Sequence, residues 1–430
     1  MSRIGFFADD LTGAADVLAQ AHAMGLDAAL TLDPTKPLPE SADVVGIAGP
    51  TRSLQGAELE QAIRDGLTTF IGEDLDVLIY KVCSTFDSSP TIGNIGRAIE
   101  VLHEYWPSHG AIPVAPAQPE FGRYTAFSQH FGTYQGEVYR LDRHPVMSSH
   151  PATPMSEADL RDIIAAQTKS GDRPAAIHLP AYPAGTFGDL WAQRRSDSGA
   201  FVVDAVDTSQ MDAVAAQLLA GPAPALVVGS GGIMAALARL RGVSAPRRQD
   251  RSVASGPVLA VSASASSTTA DQITDAINAG WVEVGIPAEA FEQEEPHGAW
   301  VEVVASALLR GDHVIAHTLR GMDDPRMSTR QIAPADVGGA IGRLARVMVE
   351  RGLTRDVAIF GGDSSSHALL ALGVTELRVA EQFVTAGPIC TADTASAVAG
   401  CRLLLKGGQV GPVDILRQFA GTRTTDKEKP

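Results

Sequence analysis

Two adjacent carboxylates near the start of the chain are the residues best placed to do chemistry. Asp9 and Asp10 directly follow residues 4–8, an apolar segment with the composition of a buried strand. Thr12 and Gly13 then open a segment with helical spacing, so the free N–H groups of a helix start would lie beside the carboxylates. Because side chains alternate along extended backbone, one aspartate would face a ligand while the other caps the helix. The pattern predicts a ligand site to which Thr12 and Gly13 contribute, with a purely structural capping role for both aspartates as the alternative.

Cationic and hydroxyl side chains follow two further apolar segments. Lys81 is one of only six lysines beside twenty-eight arginines, so it is an unusual choice for a generic surface charge. Ser84 and Thr85 lie in the same loop, and Arg52 offers a guanidinium suited to a carboxylate. His150 lies in a proline-rich segment that could fix it over a pocket. We predict that these residues recognise an anionic or hydroxylated ligand. The alternatives are that Arg52 is exposed and solvated, that the serine-rich turn binds no ligand, and that the histidine segment forms turns with a structural role.

Three junctions between strand and loop in the second half of the chain are rich in glycine and hydroxyl side chains. In such loops, backbone N–H groups and a helix start can receive phosphate groups without a Walker lysine. Three of them in one α/β unit favour a nucleotide site over ordinary helix-starting turns. The predicted nucleotide contacts are Ser262, Ser264, Ser266, Thr269, Gly361, Gly362, Asp363, Ser364, Gly407, Gly408 and Gln409.

Several common motifs are absent from the sequence. It has no Gly-Lys dipeptide and hence no Walker A loop, no Gly-x-Gly-x-x-Gly fingerprint and no His-Glu-x-x-His. His313 and His317 lie four residues apart, but their segment is typical of a strand, which favours ordinary packing over metal binding. The sequence therefore assigns no metal ligands.

Short apolar runs followed by loops and longer helical segments recur along the chain, which is the rhythm of parallel α/β structure. We predict strands at residues 4–8, 44–48, 77–81, 112–115, 175–178, 201–204, 226–229, 258–262, 314–318, 357–361 and 402–406. We predict helices at residues 14–24, 56–71, 93–105, 156–168, 211–219, 269–278, 300–309, 337–351 and 366–372. Residues 113–154 interrupt the rhythm and suit irregular backbone with short antiparallel strands.

The length of 430 residues favours two domains. Residues 241–256 are rich in arginine and small polar side chains, so we place a linker there, between domains at 1–240 and 257–421. Residues 422–430 form a polar tail that we expect to fray. The predicted fold class is α/β, with two Rossmann-like domains, mainly parallel sheets and a cleft between them.

Charge and composition restrict the partners. The formal charge of -16 disfavours nucleic acid and anionic lipid, and no apolar run approaches the roughly 18 residues of a membrane span. The N-terminus lacks the features of a secretory signal, and the three cysteines form no Cys-x-x-Cys motif. We expect a cytoplasmic protein with reduced thiols and with neither a nucleic-acid nor a membrane partner.

Many of these motifs resemble those of the four-carbon acid sugar kinases, also called the DUF1537 family. The run Ala-Asp-Asp-Leu-Thr-Gly-Ala at residues 8–14 looks like the N-terminal signature of the family, and the similarity spans nearly the full length. Further matches are Ala115-Pro116-Ala117, Gly122-Arg123, His150-Pro151, Thr153-Pro154-Met155, the pattern Ser264, Ser266, Thr269 and Gln272, Gly361-Gly362-Asp363-Ser364 and Lys406-Gly407-Gly408-Gln409. The resemblance implies a sugar-acid-binding N-terminal domain and an ATP-binding C-terminal domain. It also implies phosphorylation of a terminal hydroxyl of threonate, erythronate or 3-oxo-tetronate.

The chain departs from the family pattern in the loop after Lys81. Many members have Asp-Ser-Thr-Leu-Arg-Gly there, whereas this chain has Cys-Ser-Thr-Phe-Asp-Ser at residues 83–88, which replaces an arginine that could hold substrate. Ala263 stands where glycine is usual, and Asp363 where glutamate is common. A remodelled pocket would suit a branched acid such as 3-oxo-isoapionate as well as an unbranched tetronate.

The residues and the resemblance together predict a sugar-acid kinase that uses ATP and Mg²⁺. Arg52 and Lys81 would bind the substrate, the loop hydroxyls would orient it, and Asp10 would accept the proton of the attacking hydroxyl. Asp10 is favoured over Asp9 because it is nearer the helix turn. Mg²⁺ would arrive with the nucleotide, helped by few protein carboxylates. The alternatives are a non-catalytic two-lobed sugar-acid binding protein and, less favoured, an oxidoreductase; a homo-oligomeric state stays open.

Overall fold

The structure, a computed structural model, describes residues 3–150, 152–242, 252–321, 324–328, 332–384 and 387–421. The chain divides into two compact units, Met1–Arg247 and Arg248–Pro430. Each unit is α/β and has its own apolar core, which agrees with the predicted fold class. Residues 243–251 of the predicted linker and the predicted tail 422–430 lie outside the described residues.

The N-terminal unit alternates strands and helices. Its strands are β1 (Arg3–Ala8), β2 (Ala28–Thr31), β3 (Val44–Ala48), β4 (Leu75–Lys81), β5 (Ile112–Ala115), β6 (Arg123–Ala126), β7 (Gln129–Tyr134), β8 (Glu137–Arg140), β9 (Ala175–Ile177), β10 (Ala200–Val203) and β11 (Ala225–Gly229). Its α-helices are α1 (Leu11–Ala23), α2 (Gly56–Thr68), α3 (Ile95–Tyr105), α4 (Leu160–Gln167), α5 (Phe187–Arg195), α6 (Thr208–Ala220) and α7 (Gly231–Arg241).

A parallel sheet organises this unit, with the strand order β2-β3-β1-β4-β11-β5-β10-β9. From β1 the chain passes through α1 to β2 on one side, whereas β4 pairs with β1 on the other side. Connections therefore diverge between β1 and β4, and ligands of open α/β sheets bind outside the carboxyl ends of strands at such a point. Asp9 follows β1 and Lys81 ends β4, so both lie at this point.

The segment at 113–154 contains the short antiparallel strands that its composition predicts. Strands β6, β7 and β8 form a separate antiparallel sheet in that order. Three-residue 3-10 turns follow at Leu141–Arg143 and Met147–Ser149. This part of the chain leads directly to His150, at the end of the second turn.

The C-terminal unit begins a second α/β series. Its strands are β12 (Val258–Ser262), β13 (Val282–Gly285), β14 (Val314–His317), β15 (Asp356–Phe360), β16 (Glu376–Val384), β17 (Gly387–Ala392) and β18 (Arg402–Lys406). Its α-helices are α8 (Ser267–Asn278), α9 (Ala299–Leu309), α10 (Pro334–Glu350), α11 (Asp363–Ala371) and α12 (Ile415–Ala420). Along the described ranges of the whole chain, no helix has both the length and the hydropathy that a membrane crossing requires.

Five strands of the C-terminal unit are parallel, in the order β13-β14-β12-β15-β18, and β17 and β16 continue the sheet in antiparallel pairing. Every residue of β12 and β15 is buried, as parallel strands covered on both faces require. The connection from β12 leads to β13 on one side and that from β15 leads to β16 on the other, so they diverge between these two strands. The three glycine- and hydroxyl-rich junctions follow the adjacent strands β12, β15 and β18.

Candidate functional site

Asp10 is the N-cap of α1. Its backbone is extended and its Oδ1 accepts a hydrogen bond from the backbone N–H of Gly13. The sequence predicted that one of the two aspartates caps the helix, and the structure shows that Asp10 does so at Gly13. Thr12 lies in the same first turn of the helix. Asp10 therefore has a structural partner before any ligand is considered.

Asp9 is buried and lacks the hydrogen bonds that Asp10 has. Its Oδ1 has no hydrogen-bond partner among the described residues, although its backbone pairs with Lys81 and Arg52. Burial and the neighbouring charge of Asp10 raise the pKa of Asp9 to about 7, against the lowering effect of the two cations. An aspartate in this state can exchange a proton near neutral pH, as a general base must.

Lys81 ends β4 with its ammonium group inside the protein. The side chain is only 2% exposed, and Nζ donates to the carbonyl of Val82 at 3.0 Å and lies 4.0 Å from Asp16 Oδ2. A Cβ placed on Gly13 would lie 3.1 Å from Lys81 Nζ, 2.8 Å from Asp10 Oδ1 and 3.5 Å from Asp9 Oδ1. The absent side chain at Gly13 thus leaves a small space that one cation and two carboxylates surround.

Arg52 is engaged by two carboxylates. Its Nη1 donates to Asp10 Oδ2 at 2.9 Å, and its Nη2 donates to Asp87 Oδ2 at 2.7 Å and Oδ1 at 3.0 Å. Burial alone would raise the pKa of Asp87, but the Arg52 charge and the bonds from Thr85 and Arg52 hold that pKa below its ordinary value. Most of the donor capacity of Arg52 is therefore directed at the protein rather than at a ligand.

The Asp87 carboxylate connects Arg52 to the segment that contains His150. Thr85 Oγ1 donates to Asp87 Oδ1, and Thr153 Oγ1 donates to Asp87 Oδ2 at 3.3 Å. His150 Nδ1 accepts from the backbone N–H of Thr153 at 3.2 Å and lies 3.0 Å from its Oγ1. The remaining predicted contact, Ser84, uses its carbonyl to accept from His130 Nε2 at 2.7 Å. Hydrogen bonds therefore join Asp10, Gly13, Arg52, Thr85 and His150 into one polar network. Lys81 and Ser84 have other partners, Asp16 and His130.

Sequence reasoning assigned no role to several partners of the predicted residues. Asp16 accepts from Gln118 Nε2 at 3.3 Å and lies next to Lys81, and Asp87 and Thr153 complete the surroundings of Arg52. One signal was available for Asp16, because it is the only acidic residue in the apolar helix α1. The pairing of Asp87 with Arg52, 35 positions earlier, has no local signature.

In the C-terminal unit, hydrogen bonds join the junction after β12 to the junction after β18. Thr269 Oγ1 donates to the carbonyl of Gly408 at 2.8 Å and lies 3.1 Å from Ser264 Oγ, and Ser264 Oγ accepts from the N–H of Ser266 at 3.3 Å. Gln272 Nε2 reaches the carbonyls of residues 410, 411 and 412 at 3.0, 3.1 and 3.0 Å. These bonds fix the backbone of both loops.

The junction after β15 is bonded to the same strand end. The N–H of Gly361 donates to the carbonyl of Lys406 at 3.2 Å, and Ser365 Oγ donates to the carbonyl of Gly361 at 2.9 Å. The other predicted contacts lie in these junctions or at their edges: Ser262 ends β12, Gly362 precedes α11, Asp363 and Ser364 begin it, and Gly407 and the exposed Gln409 follow β18. All three junctions thus lie at one edge of the sheet.

The helices that start at two of these junctions have no side-chain caps. Ser266 is the N-cap of α8 and Gly362 that of α11, and neither provides a side-chain cap hydrogen bond. The N–H groups of a first helical turn have no partner within the helix, so here they can serve phosphate oxygens. By contrast, Asp10 occupies this position at α1.

The described residues do not form a protein metal centre. No group of three or more His, Cys, Asp or Glu side chains within the described ranges could hold a metal ion. His317 Nε2 lies 2.9 Å from Glu283 Oε1. No step of the chemistry is therefore assigned to a metal held by these side chains.

Comparison with protein families shows what the two units are. Residues 4–237 match the model described as a sugar-binding N-terminal domain, and residues 259–416 match the model described as a nucleotide-binding C-terminal domain. The chain therefore belongs to the class of proteins that combine a sugar-binding domain with a nucleotide-binding domain.

Curated relatives align over almost the whole chain. The chain is 33% identical to a 3-oxo-isoapionate kinase from Paraburkholderia graminis, over 95% of this chain and 92% of that protein. It is 28% identical to a 3-oxo-tetronate kinase from Cupriavidus necator, over 97% of each chain. A solved Haemophilus influenzae structure of DUF1537 has the same fold, with a TM-score of 0.71 and 23% identity over 97% of this chain and 99% of that one. The chain belongs to the four-carbon acid sugar kinase family, and it is a phosphotransferase that acts on sugar acids.

Proposed function

We propose that the protein transfers the terminal phosphoryl group of ATP to a terminal hydroxyl of a small sugar acid, and that a branched 3-oxo-isoapionate-type acid is its preferred substrate. The 33% identity with the Paraburkholderia graminis kinase, against 28% with the Cupriavidus necator enzyme, supports the branched acid. Arg52 donates a hydrogen bond to the Asp87 carboxylate. This pairing supports a substrate pocket that differs from one in which an arginine side chain is free to bind the acid.

Lys81 is the cation that we assign to the substrate anion. Arg52 already has two carboxylate partners, Asp10 and Asp87. The Lys81 ammonium group donates to the carbonyl of Val82, and its carboxylate partner, on Asp16, lies 4.0 Å away. A buried, incompletely paired ammonium group is stabilised when a ligand brings a carboxylate or hydroxyl oxygens to it. Arg52 in this account positions Asp10 and Asp87, which revises the role that we expected for it.

Asp9 is the residue that we assign as general base. The substrate hydroxyl oxygen forms a bond to phosphorus while its proton passes to the Asp9 carboxylate, and ADP leaves with the electrons of the broken P–O bond. Asp9 has an unpartnered buried oxygen, while both oxygens of Asp10 have partners in Gly13 and Arg52. This assignment reverses the sequence-based preference for Asp10.

The junctions after β12, β15 and β18 are the proposed ATP site. Uncapped helix starts at α8 and α11 offer N–H groups, and the small residues leave room for phosphates to approach the backbone. Mg²⁺ would come with the nucleotide and neutralise phosphate charge, since the described side chains form no metal cluster. A cytoplasmic location, a homo-oligomeric state and the lack of nucleic-acid partners stay predictions.

The function is tested by measuring ADP release with ATP, Mg²⁺ and a panel of acids. The panel contains 3-oxo-isoapionate, 3-oxo-tetronate, threonate and erythronate, and a reaction without acid measures ATP hydrolysis. We expect ADP release that requires an acid and is fastest with 3-oxo-isoapionate. Faster turnover of an unbranched acid would contradict the substrate assignment, and equal rates with and without every acid would contradict the proposal as a whole.

A further inference from the structure

A second buried lysine lies at the end of β18, in the unit that we assign to the nucleotide. The Lys406 side chain is 3% exposed, and its Nζ lies 4.4 Å from the centre of the Phe360 ring. Nζ donates to Thr269 Oγ1 at 3.2 Å and to the carbonyls of Gly407 and Gly408 at 3.0 and 3.4 Å. Its polar partners are thus neutral groups of the predicted phosphate loops.

The acidic side chains that the structure describes on the elements around Lys406 pair with arginines or are exposed to solvent. On α8, Asp271 is exposed and Asp275 pairs with Arg417 at 2.7 Å. Asp356, at the far end of β15, pairs with Arg402 at 2.5 Å. On the other neighbouring strand, the Cys390 thiol is opposite Leu403 rather than Lys406. Among the residues whose side chains the structure describes, Lys406 has no ion pair.

Burying the Lys406 ammonium group without a counter-charge costs free energy. Burial lowers the pKa of Lys406 to about 7, so at neutral pH a large fraction of the amine is uncharged. A polyphosphate at the three loops would add several negative charges beside it and favour the protonated form. By linkage, the ligand that favours the protonated form also binds that form more tightly.

We propose that Lys406 is the counter-charge of the bound nucleotide and that nucleotide binding takes up one proton from solvent, which converts its amine to an ammonium group. The inference rests on the proposed function, because it requires the nucleotide at these loops. The hydroxyl of Thr269 connects Nζ to Ser264 Oγ, so the charge change occurs next to the α8 helix start. Nucleotide affinity would then fall as pH rises above the pKa of the free lysine.

Isothermal titration calorimetry of the full chain with ADP tests the proton uptake. At pH 8 the terminal phosphate of ADP is ionised, and a lysine of pKa about 7 is about 90% uncharged. The observed binding enthalpy is measured in buffers of different ionisation enthalpy, and the slope gives the number of protons taken up. We expect roughly 0.5 to 1 proton for the wild type, as this uncharged fraction requires.

Two variants separate charge from titration. Lys406→Arg keeps a permanent cation, so ADP should bind with a slope near zero; Lys406→Met should lose about tenfold or more in affinity and also show no uptake. Lys36→Met, at an exposed turn, should behave as wild type. The melting temperature of each variant shows whether it is folded. If Lys406→Met is not folded, Lys406→Arg alone tests the proton uptake.

Two results would overturn the inference while the proposed function stands: wild-type binding of ADP without proton uptake, or full uptake in Lys406→Arg. A wild-type chain that binds neither ADP nor ATP would overturn the proposed function, and the inference with it.

Discussion

The two units place a buried lysine at the carboxyl end of a parallel strand, but they surround it differently. Lys81 pairs with Asp16 at 4.0 Å, and its amine borders the space at Gly13 that Asp9 and Asp10 also border. Lys406 lies among hydroxyls, carbonyls and an aromatic ring. One fold plan therefore supports two kinds of recognition. Fixed side-chain charges suit a small acid with several distinct oxygens, whereas backbone N–H groups and one adaptable cation suit phosphates.

The start of helix α1 in the N-terminal unit also differs from the starts of α8 and α11 in the C-terminal unit. At α1 the Asp10 carboxylate occupies the cap, while α8 and α11 have no side-chain cap. A capped start is closed to an anionic ligand, and an uncapped start is open to one. This difference supports the phosphate binding that we propose for the junctions of the C-terminal unit.

The largest effect is expected from Asp9→Asn. Loss of the base should lower kcat by about a hundredfold or more while ATP affinity changes little, which is the usual scale of general-base contributions. Steady-state kinetics with both substrates measures this. Asp10→Asn is the matched comparison: it keeps a capping oxygen but weakens the pair with Arg52, so it should lower the free energy of unfolding by about 1–3 kcal/mol and spare most of kcat. A greater loss of kcat in Asp10→Asn than in Asp9→Asn would reverse the assignment.

Arg52→Met should reduce stability more than it reduces affinity for the acid. Removal of the guanidinium leaves the buried Asp87 without its main partner, so the free energy of unfolding should fall by about 3 kcal/mol. Chemical denaturation measures the change, and Arg143→Met, with a side chain that is 76% exposed, is the control. An unchanged midpoint with a sharply raised KM for the acid would show that Arg52 binds substrate after all.

The pH dependence of kcat/KM for the acid should follow Asp9, because kcat/KM reports the ionisation of the free enzyme. The base must be ionised, and because its pKa is raised to about 7, kcat/KM should rise up to tenfold per pH unit below 7 and level off above it. The folded state holds this proton more tightly than the unfolded chain, so the Asp9 contribution to stability should decline as pH rises from about 4 to 7. Asp9→Asn should remove both trends. A kcat/KM profile that is flat from pH 5 to 8 in the wild type would argue against Asp9.

The smallest effect is expected from Gly408→Ala. A Cβ there would lie 2.6 Å from Ser264 Oγ, so the two loops would have to separate slightly, and the KM for ATP should rise several-fold. The KM for the acid should not change. Gly256→Ala, where a Cβ meets nothing within 4 Å, is the control. Equal changes in both Michaelis constants would mean that the substitution disturbs more than the nucleotide loops.

The parallel part of the fold could be predicted well because buried parallel strands are continuous apolar runs. All eleven predicted strands are present, and 44–48, 112–115, 258–262 and 402–406 match to the residue. Strand β16 was missed because polar residues interrupt it, as suits antiparallel pairing. Helix α7 was missed because it begins with two glycines, which ordinarily argue against a helix.

The candidate site could be predicted as a set of residues but not as a set of bonds. Residue type and position after a strand indicated Asp9, Asp10, Lys81 and Arg52. Two features depend on tertiary distances that sequence spacing does not contain. They are the capping of α1 by Asp10 rather than Asp9, and the pairing of Asp87 with Arg52. The same limit explains why nearness to the helix turn favoured Asp10 as the base in the sequence analysis, whereas we propose Asp9.

The most direct test of the division between the two units measures KM for the acid and for ATP in Lys81→Met and Lys406→Met, with Lys36→Met as control. We expect Lys81→Met to raise the KM for the acid about tenfold or more with little change in the KM for ATP, and Lys406→Met to raise the KM for ATP with little change in that for the acid. If each variant raised both constants equally, or if the two effects were exchanged, the assignment of sugar acid and nucleotide to the two units would be contradicted.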